Sequence, residues 1–119
     1  MTTPVDADGP NGQVFAALAD PTRRAVLEAV AAAGARTATE LAAELPVSRQ
    51  AIAKHLGILQ EAGLVATAKV GREQRYSVTP APLVEAGSWL LQAGRAWDRR
   101  LARLEQMATA RHGNRLHGG

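Results

Sequence analysis

The side chains with chemistry to offer in this chain are hydrogen-bonding and cationic. Arg49, Gln50 and Lys54 fall in one short stretch, and Lys69, Arg72 and Arg75 fall in a second. Long amide and ammonium arms can reach base edges in a major groove, and guanidinium groups pair with phosphate. Ser48 and Ala51 complete the first group, a hydroxyl placed to open a helix and a methyl sized to meet a thymine methyl. Residues 48–76 hold five basic and two acidic side chains, so the positive excess falls on these two stretches. Catalysis has far less to work with. Cysteine is absent, which removes disulfides, thiolate metal sites and thiol nucleophiles. The histidines are His55, His112 and His117, and no Ser–His–acid grouping, Gly-rich phosphate loop or metal-ligand spacing accompanies them. No enzyme activity, cofactor or metal is expected.

The chain has 119 residues, with 14 Lys and Arg against 11 Asp and Glu, for a net charge of +3. That length suits one small domain with tails. Aromatic residues are 3% of the chain, too few for a base-stacking platform that binds single strands. No stretch approaches the ~18 apolar residues of a membrane span. Residues 1–12 lack the basic-then-apolar pattern of a secretory leader. The expectation is a soluble cytoplasmic protein. Residues 1–12 read as a disordered arm, 13–110 as the folded domain and 111–119 as a disordered tail.

The elements that must position the candidate residues are punctuated clearly. Val14, Phe15 and Leu18 give a short helical face from Gln13 to Ala19. Asp20-Pro21 supplies a cap and a first-turn proline for a second helix, which Gly34 ends. Thr37 and Glu40 form a capping box ahead of Leu41, and Pro46 stops that third helix. Ser48 caps a fourth helix that runs to about Ala62 before Gly63. The short gap between helices three and four is helix–turn–helix spacing. Leu64–Val70 and Gln74–Val78 read as two strands of a hairpin turning at Gly71-Arg72-Glu73. Thr79-Pro80 opens a last helix to about Ala110. The fold class is mainly α: a winged helix–turn–helix of four helices, a β-hairpin wing and a long C-terminal dimerisation helix.

At 100° per residue, Ile52, Leu56 and Leu59 share one narrow sector of the fourth helix, which must face the core. Gln50 and Lys54 lie nearly opposite it. His55 falls at the edge of the apolar sector and reads as a packing residue. Arg49 sits in the first turn, where backbone donors and a side chain can both reach phosphate. In the hairpin, Lys69, Arg72 and Arg75 suit a wing lying along the minor groove and phosphates. The last helix repeats Leu83, Gly87, Leu90, Gly94, Trp97, Leu101, Leu104 and Ala108 by fours and threes, a heptad-like seam for a second copy. These patterns point to a dimer bound to double-stranded DNA. The alternative is a winged-helix dimerisation or protein-interaction module that binds no DNA, against which the basic wing and fourth helix argue.

Three runs carry a family resemblance: Leu18-Ala19-Asp20-Pro21-Thr22-Arg23-Arg24, then residues 51–65 (AIAKHLGILQEAGLV), then Gly71-Arg72-Glu73-Gln74-Arg75-Tyr76. Together they resemble ArsR-type (SmtB/ArsR) transcriptional repressors over about residues 13–110. The resemblance implies a homodimer that binds operator DNA and blocks transcription, often of its own operon, until an effector releases it. It also places the first helix, with Val14 and Phe15, at the dimer interface beside the last helix. The family's metal sensors carry a Cys-x-Cys pair in helix three, where this chain has Thr37 and Thr39 ahead of Glu40 and Leu41. Hydroxyls do not replace thiolates for a soft metal. A second family site on the last helix would need His where this chain offers only Glu85, Asp98 and Glu105. The chain therefore resembles the metal-independent branch, with a small-molecule effector of unknown identity and no role assigned to His112 and His117.

Overall fold

The computed structural model describes residues 9–118, with side-chain detail as far as Thr109. Two compact units divide the chain, Met1–Ala86 and Gly87–Gly119. The first holds α1 (Pro10–Leu18), α2 (Pro21–Ala33), α3 (Ala38–Glu44), α4 (Arg49–Glu61), β1 (Val65–Val70), β2 (Glu73–Val78) and the opening turns of α5 (Pro80–Gly118). The second is the remainder of α5.

Local chemistry sets the boundaries. Asp20 accepts hydrogen bonds from the backbone N–H of Thr22 at 2.8 Å and Arg23 at 3.2 Å, satisfying two donors that α2 leaves open. The capping box of α3 is complete: Glu40 N–H donates to Thr37 Oγ1 at 3.1 Å and Thr37 N–H donates to Glu40 Oε1 at 3.0 Å. Ser48 Oγ accepts from Ala51 N–H at 3.1 Å and starts α4. At the other end of α4, Gly63 turns with φ +77°. Leu64 N–H then reaches Leu59 O and Gly63 N–H reaches Gln60 O, both at 2.9 Å, the paired bonds of a Schellman stop. The wing pairs Val65 with Val78 through Val70 with Glu73, leaving the two-residue loop Gly71-Arg72. Gly71 has φ +63°, the left-handed region that the first position of a tight Gly-X hairpin loop demands.

Every helix of the first unit buries one face in a common core. Val14 and Ala17 come from α1, Val26, Leu27 and Val30 from α2, Leu41 from α3, and Ile52, Leu56 and Leu59 from α4. Leu64, Val65 and Ala86 close it. One tie was not foreseen: Arg36 pairs with Tyr76 as an isolated bridge. Arg36 N–H donates to Tyr76 O at 2.9 Å and Tyr76 N–H donates to Arg36 O at 2.7 Å, so the base of the wing is sewn to the α2–α3 loop.

The structure differs from expectation at three points. Val14, assigned to a subunit interface, is 1% exposed and packs in the core of its own domain. α1 begins at Pro10, inside the expected arm, because proline in a first turn lacks only an N–H the helix would not have used. α5 continues past Ala110 to Gly118, since no proline follows Pro82 to break it. Residues 1–8, the bulk of the expected arm, and the side chains of His112 and His117 lie outside the described residues.

The fully buried α4 face should be expensive to truncate. Ile52→Ala should lower unfolding free energy by about 2–5 kcal/mol, while Gln50→Ala on the opposite face should stay within about 0.5 kcal/mol. Urea denaturation of the two variants measures the contrast.

Candidate nucleic-acid interface

The same geometry that buries Ile52, Leu56 and Leu59 leaves Ser48, Arg49, Gln50 and Lys54 exposed and Ala51 half-buried. Gln50 and Lys54 stand one turn apart on the outer face. Arg49 is steadied by a hydrogen bond from its Nε to Thr39 Oγ1 at 3.0 Å, which links the opening of α4 to α3. His55 is half-buried, and its enclosed Nδ1 has no hydrogen-bond partner among the described residues. On the wing, Lys69 and Arg72 are exposed, with Arg72 at the tip. A cleft of about 530 Å3 lies between α3, α4 and the wing, and Thr39, Arg49, Ala53, Arg72 and Gln74 are on its walls. Its walls also carry Glu40 and Glu73, so the two cations Arg49 and Arg72 are matched there by two carboxylates.

Arg75 departs from expectation. Its guanidinium lies between Glu73, at the start of β2, and the α2–α3 segment: Nη2 lies 2.8 Å from Glu73 Oε1, Nη1 lies 3.7 Å from Glu40 Oε1, and Nη1 donates to Ala35 O at 3.3 Å. In the free protein this arginine is engaged by two carboxylates and a carbonyl. The reading that took every wing cation as a DNA contact missed this because Glu40 is distant in sequence. Arg36 was missed altogether. It is 9% exposed, with Nη2 2.6 Å from Glu44 Oε1 and Nε 3.5 Å from Glu40 Oε1. Arg36 precedes the Thr37 cap of α3, outside the helix, so its spacing of four from Glu40 was the one local signal available. Arg23 and Arg24 also have structural roles. Arg23 Nη1 donates to Ala17 O at 3.1 Å, and Arg24 Nη1 donates to Leu18 O, so both close the carbonyl end of α1.

Electrostatics follow these contacts. The Arg23 N–H, then that of Thr22 and the Arg23 charge, hold Asp20 below the usual carboxylate range against some desolvation. The Thr37 N–H, then Arg75 and Arg36, do the same for Glu40. The hydrogen bond from Arg36 to Glu44, with the charges of Glu44 and Glu40, raises the guanidinium further above its ordinary value.

The residues assigned to an interface divide by position. Phe15 and Leu83 are half-buried against the core of the first unit. In the second unit Leu90, Gly94, Trp97, Leu101 and Leu104 are all exposed, Trp97 at 58% and Leu104 at 59%. The Arg100 guanidinium lies 5.0 Å from the Trp97 ring centre. Among the described residues, no group of three or more His, Cys, Asp or Glu is placed to hold a metal ion. No helix among them is long and apolar enough to cross a membrane.

Comparison with known proteins agrees with this arrangement. A helix–turn–helix domain family matches residues 18–68. The HTH-type transcriptional regulator Rv2034 of Mycobacterium tuberculosis is 38% identical over 95 residues, 80% of this chain and 85% of that protein. The transcriptional repressor SdpR of Bacillus subtilis is 33% identical over 78 residues, 66% of this chain and 86% of that one. Among solved structures, an ArsR-like transcriptional regulator from Rhodococcus sp. RHA1 matches with TM-score 0.76 and 48% identity, over 87% of this chain and 97% of that one. Fold and relatives define the class as winged helix–turn–helix, DNA-binding regulators of transcription rather than enzymes. The chain belongs to the ArsR/SmtB family of such regulators.

The depressed carboxyls fix the sign of the pH response. Asp20 and Glu40 contribute stability that is full above their unfolded pKa values, near 4, and lost as pH falls through the lower folded values. The urea midpoint should hold steady from pH 7 to about 5 and fall below about 4. Asp20→Asn should reduce the steepness of the acid limb.

Proposed function

We propose that the protein binds double-stranded operator DNA as a homodimer and represses transcription, its own operon included, from the cytoplasm. The observation that carries this reading is the pairing of Gln50 and Lys54 on the outer face of α4 with Arg72 at the tip of an adjacent wing. In the proposed complex α4 enters the major groove, where Gln50 and Lys54 meet base edges and Ala51 a thymine methyl. Ser48 and Arg49 meet phosphate at the start of the helix. Lys69 and Arg72 follow the backbone and minor groove beside it. An effector of unknown chemistry would release the DNA. The name of SdpR, a transcriptional repressor, supports repression over activation.

Assembly is proposed through α5. Leu90, Trp97, Leu101 and Leu104 present large exposed apolar side chains, with Gly94 between them allowing close approach. A row of apolar side chains at heptad-like spacing is what a helix–helix dimer buries. Phe15 and Leu83, in the first unit, are proposed as subunit contacts in their own right.

Base reading and backbone positioning separate in a titration. Gln50→Ala should lower the ratio of operator to scrambled-duplex affinity, since a lost base contact typically costs ~1–3 kcal/mol. Arg72→Ala should weaken both duplexes together and lower the salt slope by about one per subunit. If neither variant changed either affinity, the DNA-facing surface would lie elsewhere and the interaction-module reading would replace this one.

Dimerisation has its own test. Trp97→Glu places an unpaired charge where the seam would be buried. Sedimentation should show monomer, with operator binding lost. A variant that remained dimeric would move the interface off α5.

A further inference from the structure

Beside the Arg36–Tyr76 backbone pair, one carboxylate oxygen is a shared contact point of α3, the α2–α3 loop and the wing. Glu40 Oε1 accepts the Thr37 N–H at 3.0 Å, and lies 3.5 Å from Arg36 Nε and 3.7 Å from Arg75 Nη1. Thr37 and Glu40 belong to the start of α3, the first helix of the helix–turn–helix pair. Arg75 belongs to β2 of the wing, and Arg36 is joined to β2 by both backbone bonds to Tyr76. The oxygen thus meets three groups from the α2–α3 segment and the wing at one point. Two guanidinium groups, Arg36 and Arg75, face three carboxylates, Glu40, Glu44 and Glu73. The cluster has no surplus positive charge to offer a phosphate. Its geometry is that of a brace.

We propose that Glu40 and Arg75 are positioning residues for DNA binding, which fix the angle of the wing to α3 and so the distance of Arg72 from Gln50 and Lys54. The inference rests on the proposed DNA-binding function and deepens it. Arg49 strengthens the argument, because its bond to Thr39 ties α4 to the same α3. The recognition helix and the wing are therefore referenced to one short helix, α4 through Thr39 and the wing through Glu40. Loss of the second link leaves α4 in place and the wing attached by the Arg36–Tyr76 backbone pair and Val65, with its tilt against α3 less closely set.

The substitution Glu40→Gln isolates the effect. A glutamine amide oxygen still accepts the Thr37 N–H, so the capping box survives while the charge that holds Arg36 and Arg75 is removed. Operator titrations at several salt concentrations should compare the native protein, Glu40→Gln, Arg72→Ala and the double variant. Glu40→Gln alone should weaken operator binding on the order of tenfold and lower the salt slope by about one per subunit, as Arg72→Ala does. In the Arg72→Ala background it should change neither further. A variant that merely unfolded part of the protein would lower apparent affinity equally in both backgrounds with the slope unchanged. That result, or no effect of Glu40→Gln at all, overturns the proposal. Arg75→Ala gives a second arm should Glu40→Gln fold poorly. Added to Arg72→Ala, it should leave the salt slope where Arg72→Ala put it. A further drop of about one would make Arg75 a phosphate contact and overturn its positioning role. If the native protein showed no salt-dependent operator binding, the DNA-binding reading itself would fail, which these comparisons among variants keep distinct.

Discussion

What faces outward on α4 is set by what α4 buries. Ile52, Leu56 and Leu59 have no exposed surface, and each fully buried side chain of this size is worth about 1.5–3 kcal/mol relative to exposure. Rotating the helix to hide Gln50 or Lys54 would expose that stripe and bury unpaired polar groups, which costs twice over. The 100° step between residues then places the polar pair opposite the core with no further adjustment. A Ser48 cap at one end and the Gly63 stop at the other fix the start and end of the helix. A DNA-facing surface follows from a packing constraint in a core of Val, Leu and Ile.

The wing has no comparable core of its own. A two-stranded hairpin is marginal in water, and most of β1 and β2 is exposed. Its orientation depends on anchors at its base: Val65 in the core, the Arg36–Tyr76 backbone pair, and the cluster around Glu40. These differ in kind from the core. Apolar burial is non-directional and roughly proportional to area, while the backbone hydrogen bonds of the Arg36–Tyr76 pair are directional and the ion pairs at Glu40 add to them. A helix can be seated by the first. A wing tip that must meet a narrow groove needs the second.

The parts legible in the sequence were those governed by local chemistry. Asp20, Thr37 with Glu40, Ser48, Gly63 and Gly71 each act within a few residues of their own position, and each marks a boundary where the spacing placed it. The buried face of α4 was legible for the same reason, as a helix of known pitch. What escaped was tertiary. Arg75 and Glu40 are far apart in sequence, so nothing local distinguishes a braced arginine from the free Arg72 a few positions away. Val14 was assigned to a subunit contact by family resemblance, yet an apolar side chain in a first helix serves its own core equally well, and here it does. The Arg36 bridge carries no strand-like alternation, because a single backbone pair requires none.

The central claim is that one face, the outer side of α4 with the wing tip, meets DNA. Amide spectra of isotope-labelled protein, recorded as a duplex from upstream of its own gene is added, test this most directly. The account predicts that the largest shifts fall in residues 48–57 and 69–74, with the amides of α1 and the buried face of α2 little changed. Shifts centred on α1 or α5, with Gln50, Lys54 and Arg72 undisturbed at saturating DNA, would contradict it.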